Sequence, residues 1–536
     1  MLGAGVVLKG LKEMGVDRLF IVSGTDYPGF IEEKVRMKEG APDFVVVPHE
    51  ITAASAAMGY SMAGKLGVVA VHTTPGTANA LGIIANAFYA RQPLLVVAGR
   101  SPYTEEGHPA SRSLRSQWAQ EFTDQGGLVR QVVKWDFEVR RAEQIAGALA
   151  RAVHLSESEP RGPVYLVFPR EVTVEEGKWR KVNMSPYEPG PREEDLRKAA
   201  KMIEESENPV IVTWRAGRRK EWFDSMKYFA DTVGVPVVNY VGETVNYAGD
   251  MGLDQFDLSS ADLVIAVETE VPWPPKKVKV GGKVIKVDVD PGYSRISFYD
   301  FPCDLCVMSN PKDFFDRVTP LVSRKEEWRA KVMEMRGEQE RKKEERAKAL
   351  AKEKKVKPDL LSWYVGRMGL TVFNEYPFNF HFGNFSWGQY FGDITFGHLG
   401  WTMGASFGYS LATVKATVAT VGDGSFIFGV PEAFYYAVRT YETDCKVVIY
   451  DNGGWLASEE ALDDVFQESV AKERGEFPGA EMRRYNSGEG VKAYGGYYKL
   501  VESPWELEEA FSELKGSRLG VLQVVTEKRD PEDEIY

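Results

Sequence analysis

Short β-branched runs, each bounded by turn residues and followed by a helix-compatible segment, recur along the whole chain. They fall at 44–47, 68–71, 94–97 and 164–168, again at 210–213, 235–239, 263–267 and 284–289, and finally at 417–421, 447–450 and 519–525. This alternation is the pattern of parallel α/β layers, because a strand pairs in parallel with its successor only across a crossover long enough to hold a helix. The three series predict three doubly wound parallel-sheet domains, and 536 residues, 43% of them hydrophobic, supply enough apolar material for several cores. A proline-rich stretch at 186–191 reads as a linker. From Arg324 to Lys357 the chain is dominated by Lys, Glu, Arg, Ala and Met, which predicts an exposed, charge-laced connecting helix rather than a core element. The expected bounds are 1–185, 190–323, 324–357 for the helix, and 358–536.

Charge narrows the partners. Lys plus Arg total 66 against 78 Asp plus Glu, a net charge of −12, so no nucleic acid is expected. The richest apolar stretch, 80–99, contains Asn86, Arg91, Gln92 and Pro93 and cannot cross a bilayer as a bare helix, so no membrane is expected. The opening residues, 1–9, have no basic lead-in and no cleavage site and are expected to belong to the fold. Three cysteines are too few for a disulfide framework, which agrees with a reducing, cytoplasmic setting. Cys303 and Cys306 lack the further ligands of a zinc site and read as a buried pair at a strand end, and Cys445 needs no special role.

Several strands empty into residues that can do chemistry. The run 416–421 leads into Gly422-Asp423-Gly424-Ser425, and 446–450 leads into Asp451-Asn452-Gly453-Gly454. In an open parallel sheet ligands bind at this edge, so adjacent strands could bring Asp423 and Asn452 together. One carboxylate, one amide oxygen and the carbonyl of Gly454 would form a hard oxygen set suited to Mg²⁺, and the flanking glycines would let phosphate oxygens approach the backbone. Two ordinary strand-end turns are the alternative. The strand 44–47 ends at Pro48-His49-Glu50, and Glu50 opens a small-residue helix, where it could simply favour the helix dipole or could be a partnered carboxylate in an apolar setting. His72, at the head of His72-Thr73-Thr74-Pro75-Gly76-Thr77-Ala78-Asn79, could sit near Glu50 as a proton shuttle or be structural.

His49-Glu50 before that helix, the Thr74-Pro75-Gly76-Thr77-Ala78-Asn79 turn, and Gly422-Asp423-Gly424 followed by Asn452 together resemble the thiamine-diphosphate-dependent enzymes of the acetolactate synthase, pyruvate decarboxylase and benzoylformate decarboxylase group. The resemblance spans essentially the whole chain, including 161–169 and 284–291. It implies a pyrimidine-binding domain at 1–185, a central domain at 190–323 and a diphosphate-binding domain at 358–536. It also implies thiamine diphosphate with Mg²⁺ held by Asp423, Asn452 and Gly454. Glu50 would bond a ring nitrogen of the aminopyrimidine and favour the imino form that takes the proton from thiazolium C2. Leu399 or Met403 would support the bent cofactor, with Pro75, Asn79, Gly422, Gly424 and Ser425 around it. The glutamate of one subunit would meet the diphosphate site of another, in a dimer or a dimer of dimers.

Within the group, His72 stands where benzoylformate decarboxylase carries an active-site histidine, and Thr25 where that enzyme has a substrate-contacting serine. The second histidine, expected near 271–275, is missing. Gln120, Glu121 and Lys134 are placed like substrate-side residues of acetolactate synthase, although Ala119 replaces the usual aromatic. The segment 214–219 has no Gly-x-Gly-x-x-Gly pattern, so no FAD is expected, and its arginines could bind a nucleotide or, on the preferred reading, be solvated. The expected reaction cleaves or forms a C–C bond next to the carbonyl of a 2-oxo acid. The alternatives are the catalytic subunit of acetolactate synthase proper, a non-catalytic cofactor-binding partner subunit, and an acyl-CoA lyase relative.

Overall fold

The structure, a computed structural model, describes residues 1–238 and 242–528. Three six-stranded sheets run in chain order, and every ladder within them is parallel. The first contains β1 (Arg18–Val22), β2 (Asp43–Val46), β3 (Gly67–Val71), β4 (Leu94–Arg100), β5 (Asp136–Glu138) and β6 (Pro163–Pro169), in the order β2-β1-β3-β4-β6-β5. The middle sheet contains β7 (Pro209–Thr213), β8 (Val237–Val238), β9 (Gly252–Leu253), β10 (Leu263–Val267), β11 (Lys283–Asp288) and β12 (Leu305–Met308), in the order β12-β11-β10-β7-β8-β9. The third contains β13 (Thr371–Glu375), β14 (Tyr390–Gly392), β15 (Thr417–Gly422), β16 (Cys445–Asp451), β17 (Tyr497–Val501) and β18 (Leu519–Val525), in the order β14-β13-β15-β16-β18-β17. The expected strand at 235–239 reaches Asn239, which lies outside the described residues, as do 529–536.

Each sheet has a central place where the winding reverses, between β1 and β3, between β7 and β10, and between β13 and β15. The connections that leave such a pair go to opposite faces and open a crevice at the strands' C-terminal ends. Central strands such as β3, β7 and β10 are buried along their whole length, which is why they read as unbroken apolar runs. Strands that the periodicity did not reveal carry polar or half-exposed residues: β13 holds the buried Asn374 and Glu375, and β17 is mostly half-buried.

The first and third sheets are joined by two crossing helices, α1 (Glu50–Met62) and, much later, Thr402–Thr413. A Cβ at Gly59 would lie 2.0 Å from the Ala405 carbonyl oxygen, and one at Gly408 would lie 1.9 Å from that of Ala56. The small residues of α1 therefore serve backbone-to-backbone packing.

The charged connector forms a helix over Glu326–Leu350. Its middle carries i,i+4 pairs such as Glu338–Lys342 and Arg341–Glu345. The expectation that it is purely an exposed element is corrected at both ends: Trp328 and Val332 are buried in the middle core, and Leu350 in that of the third sheet. Burial of these apolar side chains at each end stops the helix from acting as a free spacer. A second correction concerns Cys303 and Cys306. They are disulfide-bonded, and Cys306 is exposed on β12 because alternate residues of this sheet-edge strand face solvent, whereas Cys445 is free and buried. No helix among the described residues is long and apolar enough to cross a membrane.

Candidate active site

Next to the third sheet's reversal, β15 and β16 lie side by side with Gly422 opposite Tyr450, so the turns that follow them meet. Asp423 opens a short helix, Asp423–Phe428; its Oδ1 accepts from the Gly424 N–H and its Oδ2 from the Gly453 N–H, both at 3.1 Å. Asn452 Oδ1 accepts from the Gly454 N–H at 3.1 Å. These residues line a cavity of about 470 Å³ together with Glu375, Leu399 and Ser425. Burial first, and the nearby Asp451 second, push the Asp423 carboxyl up to about 6. Asp451 is itself buried, with Arg484 Nε at 3.1 Å and Gln523 Nε2 at 2.7 Å. A partly buried carboxylate beside a second carboxylate calls for a cation, and the carboxylate, amide oxygen and Gly454 carbonyl are hard donors. No cluster of three or more His, Cys, Asp or Glu that could hold a metal occurs among the described residues, so a metal here would depend on such a mixed set.

Gly422 and Gly424 differ. A Cβ on Gly424 would sit 2.3 Å from the Trp455 indole, whereas one on Gly422 would meet only Ser425 Oγ, at 4.0 Å, leaving the backbone there open to a ligand. Leu399 lines the cavity, but Met403 is buried in the core with its Cε against Gly429. The sequence reading missed Glu375. This fully buried carboxylate at the end of β13 accepts from the N–H groups of Gly400 and Thr402 and from the Thr402 hydroxyl at 3.0 Å. Burial pushes it up to about 7 against the pull of those donors. A strand ending in Asn374-Glu375 beside the reversal was its only signal.

At the first sheet's reversal, His49 rather than Glu50 caps α1: His49 Nδ1 accepts from the Ile51 N–H at 3.2 Å. The Glu50 side chain is thereby left for another partner, and Asn79 Nδ2 donates to its Oε2 at 3.0 Å. Asn79 projects from α2 (Thr73–Tyr89), whose Gly76 packs against Glu50, a Cβ there falling 3.1 Å from Oε1. Pro75 lies exposed on the first turn of α2. His72, at the end of β3, has its Nδ1 2.6 Å from Asp26 Oδ1. The hydrogen bond with Asp26 raises the imidazole's pKa above its ordinary value; partial burial opposes this, and the Asp26 charge, Gln120 and Glu50 add to it. His72 thus feels both Gln120, by hydrogen bonding, and the charge of Glu50. Thr25 is exposed beside them and accepts from Gln117 Nε2 at 3.3 Å. Lys134 is not at this edge; it precedes β5, at the N-terminal edge of the parallel sheet, and faces a separate cavity toward the middle sheet.

Glu50 is half-buried and Asn79 is exposed, and neither lines the third-sheet cavity of its own chain. One expectation is revised here. The arginines of 214–219 are not simply solvated: Arg215 and Arg218 are buried, Arg215 pairing with Glu243 and Glu270 at 2.7 Å each, and Arg218 with Glu159 at 3.0 Å. Charges so far from water persist only when paired.

Comparison with known proteins agrees with this arrangement. Residues 1–128 match the family described as thiamine pyrophosphate enzyme, N-terminal TPP binding domain, and residues 377–524 its C-terminal TPP binding domain, together just over half of the chain. Acetolactate synthase of Mycobacterium leprae is 29% identical over 248 residues, which is 44% of this chain and 37% of that protein, so the match spans little more than a third of that relative. The acetolactate synthase large subunit of Buchnera aphidicola subsp. Schizaphis graminum is 22% identical over 480 residues, 80% of this chain and 79% of that one. Among solved structures, a Mycobacterium smegmatis protein described as thiamin diphosphate-dependent superposes with a TM-score of 0.78 at 19% identity, covering 98% of this chain and 99% of that chain. Benzoylformate decarboxylase from Polynucleobacter necessarius also gives 0.78, at 18% identity, covering 99% and 100%. These structures share the three-sheet α/β fold. With Asp423 and Asn452 on one sheet edge, Glu50 on another and both cofactor-binding domains matched, the chain belongs to the thiamine pyrophosphate enzyme family.

Proposed function

We propose that the protein is a Mg²⁺-dependent decarboxylase or carboligase that cleaves or forms a C–C bond beside the carbonyl of a 2-oxo acid. Thiamine diphosphate, when bound, supplies the nucleophilic carbon and the electron sink that such a step needs. The observation that carries the reading is the open cavity at Asp423 and Asn452, where a raised carboxyl and hard oxygen donors fit a metal-bound diphosphate. Asp423, Asn452 and the Gly454 carbonyl would hold the ion, Gly422, Gly424 and Ser425 would border the phosphates, and Leu399 would support the bend. Glu50, oriented by Asn79 and not spent on helix capping, would hold a ring nitrogen of the pyrimidine. His72, oriented by Asp26 and with its pKa raised by that carboxylate, can give or take a proton on the substrate side, with Thr25 beside it.

On this reading 1–185, 190–323 and 358–536 are the pyrimidine-binding, central and diphosphate-binding domains, and 324–357 is the connector. Glu50 and Asn79 lie open on one chain while Ile427 and Phe428 stand exposed beside the third-sheet cavity, which supports a homodimer, or a dimer of dimers, that closes each site with a second copy. A panel of 2-oxo acids, incubated with enzyme, thiamine diphosphate and Mg²⁺ and followed by NMR, should show CO₂ release with an aldehyde or a 2-hydroxy ketone. Absence of turnover across the panel, with the cofactor bound, would reject the proposed reaction.

A further inference from the structure

A second cavity, of about 220 Å³, opens between the first and middle sheets, away from Asp423 and Glu50. Its floor is the C-terminal edge of the middle sheet: Arg215 follows β7, Glu270 follows β10, and 290–296 follow β11. This is the reversal point of that sheet, where α/β folds place ligands.

The charges on its wall are unevenly committed. Arg215 is held by Glu243 and Glu270, and Arg91 by Glu268 at 3.0 Å and Asp288 at 2.9 Å. Glu159 is gripped by both terminal nitrogens of Arg218, at 3.1 and 3.0 Å, and Asp290 Oδ2 accepts from the N–H and hydroxyl of Ser294. Three cations remain without a carboxylate of their own. Lys134 Nζ donates to the Ser158 carbonyl at 2.6 Å, and Arg295 to the Val133 carbonyl at 2.6 Å. The Arg161 guanidinium donates no hydrogen bond among the described residues; its buried Nε lies 3.4 Å from a Glu159 oxygen already bonded to Arg218. Burial, reinforced by the charges of Arg295, Arg218 and Arg161, pushes Lys134 down to about 8, although Glu159 opposes. Cations crowded this way are relieved by an anion.

Size and lining say what kind. The volume falls below the roughly 300–1,000 Å³ of pockets for drug-sized ligands. Beside it, the glycine of the β7 turn is closed: a Cβ on Gly217 would meet the Val245 carbonyl oxygen at 1.9 Å, and the Gly217 N–H already donates to Asn246 Oδ1 at 2.8 Å, so this glycine offers no open backbone to a pyrophosphate. The remaining wall is aromatic, with Arg295 stacked 5.0 Å over Phe88 and Tyr89 next to it. We propose that this cavity binds a small organic anion, a carboxylate or a phosphate monoester on an apolar body, with its charge among Lys134, Arg161 and Arg295 and its body against Phe88 and Tyr89.

The site stands apart from the cofactor cavity, so its test does not depend on the reaction catalysed. Benzoate and phenyl phosphate are titrated calorimetrically, in separate arms, into the protein saturated with thiamine diphosphate and Mg²⁺, which distinguishes the two anion chemistries. Saturable binding of at least one is expected, weakened about tenfold or more in Arg161→Gln and in Lys134→Met, as loss of a charge-assisted hydrogen bond implies. Turnover without added anion should be unchanged in Arg161→Gln and Arg295→Gln, which also reports that these variants fold. No saturable binding up to millimolar concentration, or binding that Arg161→Gln leaves intact, would overturn the proposal.

Discussion

Asp26 Oδ1 lies 2.6 Å from His72 Nδ1, and both residues are fitted into space that only glycines leave free. A Cβ on Gly99 would fall 1.4 Å from Asp26 Oδ2, and one on Gly24 would fall 2.2 Å from His72 Nδ1. The carboxylate therefore fixes which ring nitrogen faces the open edge and stabilises the charged imidazole. Asp26→Asn should lower the His72 pKa toward its ordinary value, read from the histidine NMR titration, and should reduce turnover about tenfold or more. Because the folded-state value is raised, the associated stability is complete below the unfolded value of about 6.5 and fades as pH rises through the folded one. The variant should thus lose more stability in acid than in alkali, as measured by denaturant melts across pH.

Glu50→Gln keeps the shape of the side chain and its bond from Asn79 but removes the charge. Thiamine diphosphate should bind within a few-fold of the native affinity, while hydrogen–deuterium exchange at C2 of the cofactor, followed by proton NMR, should slow about a hundredfold or more. Near-native exchange would remove Glu50 from the proposed role.

Metal binding at Asp423 has to displace a proton whenever the carboxyl is protonated. With this group pushed up to about 6, Mg²⁺ affinity should be flat above that pH and fall by up to about tenfold per unit below it. Magnesium titrations monitored by cofactor binding measure this, and Asp423→Asn should flatten the slope.

Leu399 and Met403 separate a cavity role from a core role. Leu399→Ala should leave the melting transition nearly unchanged and reduce turnover, whereas Met403→Ala should lose about 2–5 kcal/mol of stability. Calorimetric melts and initial rates on the same preparations distinguish them.

At the helix crossing, Gly408→Ala should destabilise by about 1–3 kcal/mol, because its methyl group meets the Ala56 backbone rather than a side chain that could move aside. A denaturant midpoint unchanged from the native protein would show that the two helices do not touch as described.

Much of this protein was legible along the chain. Buried parallel strands must be apolar throughout, so β3, β7, β10, β15 and β16 announced themselves, and a strand end followed by Gly-Asp-Gly or Asn-Gly-Gly marked the sheet edge where Asp423 and Asn452 meet. These are local patterns, written within a few residues of one another. The partners of those residues were not. Asp26 under His72, Glu375 beneath Gly400 and Thr402, His49 taking over the cap from Glu50, and the burial of Arg215 between Glu243 and Glu270 became visible only once the sheets were assembled. The same holds for the two orientations four residues apart, Leu399 in the cavity and Met403 in the core. A carboxylate's role depends on which donors and charges surround it, and folding brings those together from positions far apart in the chain, where no short-range periodicity records them.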